Sequence, residues 1–291
     1  MKKLFLCLLF SAAGFCLKGD TIALRQHFFA AVEENPAAAV KFLEDKDPEI
    51  RRYALYLVIK NNPAAALEVI GRMSRAPEVS VRMTAVSALP ELAKKHPEAL
   101  KILQEVAARE KILSIKQIAT RASWPFHREI KLLRNDPTWD YEVKTIKKIP
   151  LEKFPWLFCT DPKQEGHLKG FFKTDWSVSQ WRKIRMGVWE KQGYPGYDGV
   201  AWYQIRFTMP EKMDCNAVEI VFDGVDESAW VWLNGIYLGA HDMGPAGWQV
   251  PFAVDCRNEI RWGKENILTV RVFDAAFSGG IYKPIRVEIL K

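Results

Sequence analysis

Aromatic and acidic side chains gather in four segments of the second half of the sequence, at about 189–200, 223–228, 241–247 and 275–284. The side chains that combine aromatic faces with hydrogen-bonding groups there are Trp189, Glu190, Tyr197, Asp198, Asp226, His241, Trp248 and Tyr282. Flat rings cover the apolar faces of a sugar, and carboxylates or imidazoles bond to its hydroxyl groups. A few polar groups beside aromatic rings are typical of small-ligand sites. These eight residues are therefore the predicted carbohydrate-binding residues.

The same side chains allow less specific roles. Asp226 is alternatively a turn residue bonded to its own backbone, and the carboxylates are alternatively ligands of a structural Ca²⁺, which prefers oxygen donors. No Cys or His spacing indicates another metal, so no further cofactor is expected. Cys215 and Cys256 fall at one end of the predicted sandwich, where they form either a disulfide or a pair of inert thiols.

Short β-type segments fill residues 153–291 and must position these loops. Residues 218–222 and 229–233 alternate in polarity, and Asn234-Gly235 between two such runs predicts a tight hairpin. Further strands are predicted at 202–209, 268–273 and 285–290. Turn signals about every ten residues indicate a β-sandwich, in which successive loops alternate between the two ends.

Five strings in this half resemble a known family. They are WLFCTDPKQEG (156–166), WEKQGYPGYDGVAWYQIRF (189–207), FDGVDESAWVWLNGIYLG (222–239), GKENILTVRV (263–272) and GGIYKPIRV (279–287). Together they are similar to the N-terminal sugar-binding domain of family 2 glycoside hydrolases, the galactose-binding-like jelly roll of β-galactosidases and β-glucuronidases. The resemblance implies a jelly roll that binds a glycan or small sugar. In that family the catalytic carboxylates lie in a separate barrel of about 250 residues, so we expect no enzymatic activity from these 291 residues.

The first half repeats a helical pattern. The string aliphatic-basic-x-x-Ala begins at Ile50, Val81 and Ile115, and Asn-Pro or His-Pro occurs at 35–36, 62–63 and 96–97. Proline is well placed in the first turn of a helix, and the aliphatic residue and Ala share one helix face. Residues 19–123 therefore resemble HEAT repeats, an α-solenoid that binds a protein partner or acts as a spacer. Residues 124–152 are interpreted as a last helix and a linker.

The N-terminal segment predicts export. Lys2 and Lys3 precede an apolar run at 4–10 and small residues at 11–14, which is the pattern of a signal peptide over residues 1–18. The expected location is secreted, periplasmic or in the cell envelope. Lipoprotein anchoring at Cys16 is an alternative, which the bulky Phe15 disfavours. No other apolar run approaches about 18 residues, so no transmembrane segment is expected.

Composition and charge limit the remaining interpretations. The chain has 48% hydrophobic and 26% charged residues, which are ordinary globular values. Its net charge of +7 is too dispersed to indicate nucleic acid binding. The sequence thus predicts a two-domain, all-α then all-β protein: an exported, non-catalytic carbohydrate-binding protein. The alternatives are a protein-interaction module with a vestigial sugar site, and an accessory or degenerate family 2 glycoside hydrolase.

Overall fold

The protein consists of two compact units, residues 1–125 and 126–291. A computed structural model describes residues 19–128 and 142–291. The predicted signal peptide lies outside the described residues, as do residues 129–141 of the predicted helix and linker. No helix of the described ranges is both long and apolar enough to cross a membrane. The predicted architecture, helical repeats followed by an antiparallel β-sandwich, is confirmed.

The first unit is helical throughout its described part. Its elements are α1 (Gly19–Glu34), a 3-10 helix (Pro36–Phe42), α2 (Pro48–Asn61), α3 (Pro63–Met73), α4 (Val79–Ala93), α5 (Pro97–Arg109) and α6 (Leu113–Ala122). Elements begin at Pro36, Pro63 and Pro97, as the sequence predicts. The first and last residues of the repeated string are buried, since Val81 and Ala85 are both 0% exposed. The repeated string therefore marks the core face of α2, α4 and α6.

Ion pairs connect consecutive repeats along this unit. Arg51 Nη2 lies 2.6 Å from Glu78 Oε2, and Arg82 Nε lies 2.9 Å from Glu110 Oε2. Arg82 Nη1 also donates to the backbone carbonyls of Ala76 (2.9 Å) and Pro77 (2.8 Å). The basic residue of the repeated string thus fixes the turn before its own helix and reaches the acidic residue of the next repeat.

The second unit is a sandwich of two antiparallel sheets. Its strands are β1 (Thr145–Pro150), β2 (Trp156–Thr160), β3 (Arg182–Ile184), β4 (Gly187–Val188), β5 (Gly199–Thr208), β6 (Ala217–Phe222), β7 (Ser228–Leu233), β8 (Ile236–Asp242), β9 (Phe252–Asp255), β10 (Glu265–Asp274), β11 (Gly280–Ile281) and β12 (Ile285–Leu290). One sheet has the order β1-β12-β6-β9 and the other β3-β2-β5-β10-β7-β8, while β11 and β4 form a short ribbon. A four-residue helix, α7 (Gly166–Lys169), follows β2.

Alternating residues of both sheets build the core. Val270 on β10, Val231 on β7 and Val287 on β12 are fully buried in one cluster. The opposite face of β7 carries Trp232, which stacks on Phe172 with ring centroids 5.3 Å apart. The larger sheet is therefore covered on its second face by the segment between α7 and β3, which explains why its strands are buried on both sides.

The hairpin between β7 and β8 confirms the turn prediction. Asn234 and Gly235 have φ angles of 53° and 83°, in the left-handed region that Asn and Gly adopt most readily. The Asn234 Oδ1 atom accepts from the Ile267 N–H at 3.0 Å. This bond connects the turn to β10 in the same sheet.

Strand β1 lies where a helix and linker were predicted. It pairs with β12, with Ile149 opposite Val287, and it forms one edge of the smaller sheet. Lys147 and Lys148 of β1 are exposed. Charged residues, especially Lys, are common on edge strands, and three consecutive residues of β1, Ile146 to Lys148, are exposed, so the apolar alternation of a half-buried strand is missing. The sequence pattern was therefore too weak to indicate it.

Candidate functional site

Two aromatic side chains of the predicted set form a pair at one end of the sandwich. Trp248 lies in a 3-10 helix (Gly244–Gln249) between β8 and β9, and Tyr282 directly follows β11. Their ring centroids are 6.2 Å apart at 78°, and Trp248 is 43% exposed. The Tyr282 hydroxyl donates to the Ser278 carbonyl. The structure thus brings together two predicted residues and leaves the indole accessible.

A buried carboxylate lies beside this aromatic pair. Val225 bridges to Ile281 of β11, which places Asp226 next to Tyr282. Asp226 is only 4% exposed, and its Oδ2 atom accepts no hydrogen bond from the described residues. Burial, followed by the charge of Asp274, raises the pKa of Asp226 to about 8. Asp226 therefore holds a proton near neutral pH.

Asp274 at the end of β10 completes this acidic region. It is fully buried, and its Oδ1 atom accepts from the Ala276 N–H at 2.9 Å, whereas its Oδ2 atom has no hydrogen-bond partner among the described residues. Burial, together with neighbouring carboxylates such as Asp198 and Glu190, raises its pKa to about 6. Asp274 does not belong to the predicted set.

Two glutamates hold the loop that follows β10. Glu190 Oε1 accepts from the Gly279 N–H, and Glu227 Oε2 accepts from the Ala275 N–H, both at 2.9 Å. Glu190, Asp226, Glu227 and Asp274 are called the carboxylate cluster below. Its members come from three separate parts of the chain and enclose the start and end of one loop. Asp226, Glu227 and Asp274 are buried, so in this conformation the cluster lies beneath the surface of this end.

Phe277 lies at the tip of this loop and was also missed by the sequence analysis. It is 93% exposed and has a φ of 77°, a region that residues other than glycine rarely adopt. It precedes Ser278, whose carbonyl accepts the Tyr282 hydroxyl bond. The sequence signal that points to it is an aromatic residue between small residues, Ala-Ala-Phe-Ser-Gly-Gly.

Trp189 corrects the predicted site. It is fully buried, its ring centroid lies 5.7 Å from that of Phe158, and its Nε1 atom donates to the Tyr197 carbonyl at 3.0 Å. An ideal Cβ on Gly279 would lie 1.9 Å from the Trp189 ring, so the loop backbone covers the indole directly. Trp189 therefore supports the site from the core and cannot stack on a sugar in this conformation.

His241 and Tyr197 are also engaged within the protein. The His241 ring stacks on Phe252 with centroids 4.5 Å apart, is 8% exposed, and lies 3.3 Å through Nε2 from the Gly247 carbonyl. It thereby supports the 3-10 helix that carries Trp248. The Tyr197 hydroxyl donates to the Val200 carbonyl at 2.5 Å, and burial raises its pKa. Both predicted residues thus make contacts within the protein.

The described residues include three cysteines and the carboxylates considered as Ca²⁺ ligands. Cys159, Cys215 and Cys256 are free thiols, so the disulfide between Cys215 and Cys256 is not formed. The Cys256 thiol is buried and donates to the Val218 carbonyl at 3.3 Å, and burial raises its pKa strongly. No group of three or more His, Cys, Asp or Glu side chains within the described ranges has the arrangement of a metal site.

Comparisons with known proteins match each unit separately. Residues 36–123 match the HEAT repeats, and residues 172–275 match the second all-beta domain of beta-galactosidase. The helical unit contains HEAT repeats. The β-unit is similar to an all-β domain of family 2 glycoside hydrolases, which confirms the family resemblance seen in the sequence. The matched domain is not a catalytic barrel.

The individual relatives are much longer than this chain. A beta-glucuronidase of Formosa agariphila is 34% identical over 74 residues, which are 25% of this chain and 7% of that protein. A beta-galactosidase of Bacteroides ovatus is 34% identical over 95 residues, 30% of this chain and 11% of that protein. A solved structure of a glycosyl hydrolase family 2 member from Bacteroides cellulosilyticus aligns with 49% of this chain and 20% of its own chain. The identity is 25% and the TM-score is 0.41. The chain thus spans about a tenth of these two curated relatives.

Proposed function

We propose that the protein is an exported, non-catalytic carbohydrate-binding protein whose sugar site lies at the Trp248–Tyr282 end of the β-unit. The observation that carries this proposal is the exposed Trp248 indole beside Tyr282, with the Asp226 carboxyl next to that tyrosine. An indole face attracts the C–H face of a sugar, and a few polar groups beside an aromatic ring are typical of a small-ligand site. The similarity to glycoside hydrolase β-domains agrees with a glycan ligand.

The charge of the site favours neutral sugars over uronic acids. The carboxylate cluster and the exposed Asp198 lie at this end, and the nearby exposed Lys283 offsets only part of their charge. A uronate would add another anion to this region, where it would be repelled by the carboxylates already present. We expect galactose-type or glucose-type neutral sugars to bind, and their uronates to bind at least tenfold more weakly at pH 8.

Export rests on the N-terminal pattern. Lys2 and Lys3, the apolar run and the following small residues have the order of a signal peptide. N-terminal sequencing of the protein from its native host should find a mature chain that begins between residues 15 and 20. Recovery of intact Met1 would contradict export by this route.

Calorimetry on the full chain tests the sugar site. Glycan arrays select the ligand, and the expected Kd lies between roughly 10 μM and 1 mM, which is usual for a shallow site and corresponds to about 4–7 kcal/mol. Trp248→Ala should weaken binding about tenfold without changing the circular dichroism spectrum. Trp262→Ala is the matched control, because Trp262 precedes β10 and lies at the opposite end of that ten-residue strand.

Two results would contradict the proposal. Unchanged affinity in the Trp248 variant, or a loss only in the Trp262 variant, would exclude a sugar site at this end. Turnover of aryl glycosides that disappears in Asp226→Asn would identify a hydrolase instead of a binding protein, because the raised pKa of Asp226 also suits a general acid.

A further inference from the structure

Two hollows lie side by side along one edge of the helical unit. The first, of about 630 Å³, lies between the turn after the 3-10 helix and the turn between α3 and α4, and it includes Glu44 and Pro77. The second, of about 490 Å³, lies between that second turn and the turn between α5 and α6, and it includes Ala76 and Ile112. Arg75 borders both hollows, which therefore form one surface, called the turn edge below.

Basic side chains predominate on the turn edge. The basic residues that line it are Arg51, Arg72, Arg75, Arg82, Arg109 and Lys111, and the acidic ones are Glu44, Glu68 and Glu110. Four of the arginines already form ion pairs: Arg51 with Glu78, Arg72 with Glu44, Arg75 with Glu105, and Arg82 with Glu110. The excess positive charge is concentrated in the second hollow. Four basic side chains line it among the described residues, against one acidic side chain, Glu110.

Arg109 and Lys111 carry that excess. In the described part of the chain, no carboxylate lies within ion-pair distance of either side chain. Arg109 Nη2 donates to the carbonyl and the hydroxyl of Ser74, both at 2.9 Å, which fixes the guanidinium at the wall of the hollow. Burial and the neighbouring charge of Arg75 lower the pKa of Arg109. Glu105 pairs with Arg75 at 2.6 Å and offsets part of the repulsion between the two guanidinium groups, so Arg109 and Lys111 are the cations of the hollow to which a further anion would bind.

The hollows also have apolar contact area. Ile112 is 37% exposed at the second hollow, and Ala76 and Pro77 border the first. A peptide can place carboxylates against the arginines and apolar side chains against these residues. A polysaccharide offers mainly hydroxyl groups for the same positions. The mixture of fixed cations and apolar contacts favours a peptide.

We propose that the turn edge binds an extended acidic segment of a partner protein. Neighbouring repeats in packed helical arrays lie about 8–10 Å apart, and an extended chain rises about 3.3 Å per residue. Carboxylates at every third position would therefore meet successive hollows and bind the guanidinium groups in bidentate fashion. This inference extends the sequence-based prediction that the helical repeats bind a protein partner, and it adds the chemistry of the partner.

Fluorescence anisotropy with the full-length protein tests the inference. The probe is a labelled 12-residue peptide with Glu at every third position and Ala or Leu between. One comparison peptide has Lys in place of Glu, and another has the same composition with the Glu residues contiguous. We expect the spaced Glu peptide to bind, the Lys peptide not to bind, and the contiguous peptide to bind at least threefold more weakly. Binding should weaken severalfold between 50 and 300 mM salt, because the contacts are charged.

Matched variants locate the surface. The double variant Arg109→Gln/Lys111→Gln should weaken peptide binding at least fivefold. Arg75→Gln should weaken it by the same factor, and this variant leaves the hydrogen bonds between Arg109 and Ser74 in place. Lys60→Gln with Lys101→Gln removes two exposed charges outside both hollows and should change affinity less than twofold.

Several results would overturn the inference. They are equal binding of the Glu and Lys peptides, an equal loss in the control pair, and tighter binding of polygalacturonate than of the peptide. Sugar calorimetry on the same variants separates the two proposals. If the Arg109/Lys111 variant loses peptide binding and keeps its sugar affinity, the turn edge is a site separate from the sugar site. If the wild-type protein binds no sugar, the peptide measurements still test the turn edge.

Discussion

Replacing Asp226 by Asn should stabilise the β-unit at alkaline pH. Burial raises the pKa of Asp226 from 3.8 to about 8, so the folded state binds a proton that the unfolded state loses above about pH 4. Stability from this group is fully present below that pH and falls as the pH rises toward 8. Asn has nearly the same shape as a protonated Asp and cannot ionise.

The magnitude follows from the shift. About four pKa units at roughly 1.4 kcal/mol each set an upper limit near 6 kcal/mol for the loss above pH 8. Asp274 titrates in the same region with a pKa of about 6, and water entry relieves part of the penalty once the carboxylates ionise. We therefore expect wild type to lose about 2–3 kcal/mol between pH 5 and pH 9, and Asp226→Asn to lose about 1 kcal/mol or less.

Urea unfolding of the full chain at each pH measures this difference. Tryptophan fluorescence reports the β-unit, because every Trp except Trp124 lies within residues 126–291. Asp214→Asn is the control, since Asp214 is exposed, pairs with Lys291 and has a lowered pKa. The reasoning is refuted if wild type is equally stable at pH 5 and pH 9, or if both variants gain the same stability at pH 9.

Three further predictions concern a close backbone contact, an ion pair and a buried thiol. Gly279→Ala should destabilise the β-unit by about 3 kcal/mol in the same urea assay, because its Cβ would overlap the buried Trp189 ring; a neutral effect would mean that the loop shifts freely. Arg82→Ala should cost the helical unit about 2–3 kcal/mol in thermal melts followed by circular dichroism, because it leaves the buried Glu110 carboxylate without its cation; a change below 0.5 kcal/mol would contradict this. Cys256 should resist alkylation in native protein and react after unfolding, as mass spectrometry can measure, and rapid native labelling would show that its thiol is accessible.

Local signals allowed much of the fold to be predicted. Proline in a first turn and the repeated string with Val81 and Ala85 depend on a few neighbouring residues, and so does the Asn234-Gly235 hairpin. Each of these features is determined by backbone preference and one-sided burial within a short segment. The predicted helix starts, core faces and turn therefore agree with the structure.

The site was only partly predictable, because side-chain direction in loops depends on distant residues. Strand alternation assigned Trp189 to the correct end, yet it could not show that Gly279, ninety residues later, leaves space for the indole in the core. Asp274 reads as the last residue of a strand, and its importance emerges only when the fold places it near Asp226. Sequence spacing identifies the loops of a site, whereas the packing between them decides which side chains face a ligand.

The position of β12 in the smaller sheet has a consequence for synthesis in the cell. Residues 285–290 form an interior strand between β1 and β6, so β1 has no strand partner in its sheet, and β6 pairs only with β9, until this segment has been translated. The helical unit depends on contacts between adjacent repeats and can fold as it leaves the ribosome. The smaller sheet can instead be completed only after translation of β12, with β1 and one edge of β6 unpaired until then. Nascent chains arrested before residue 285 should therefore show protease-resistant repeats and a protease-sensitive second unit.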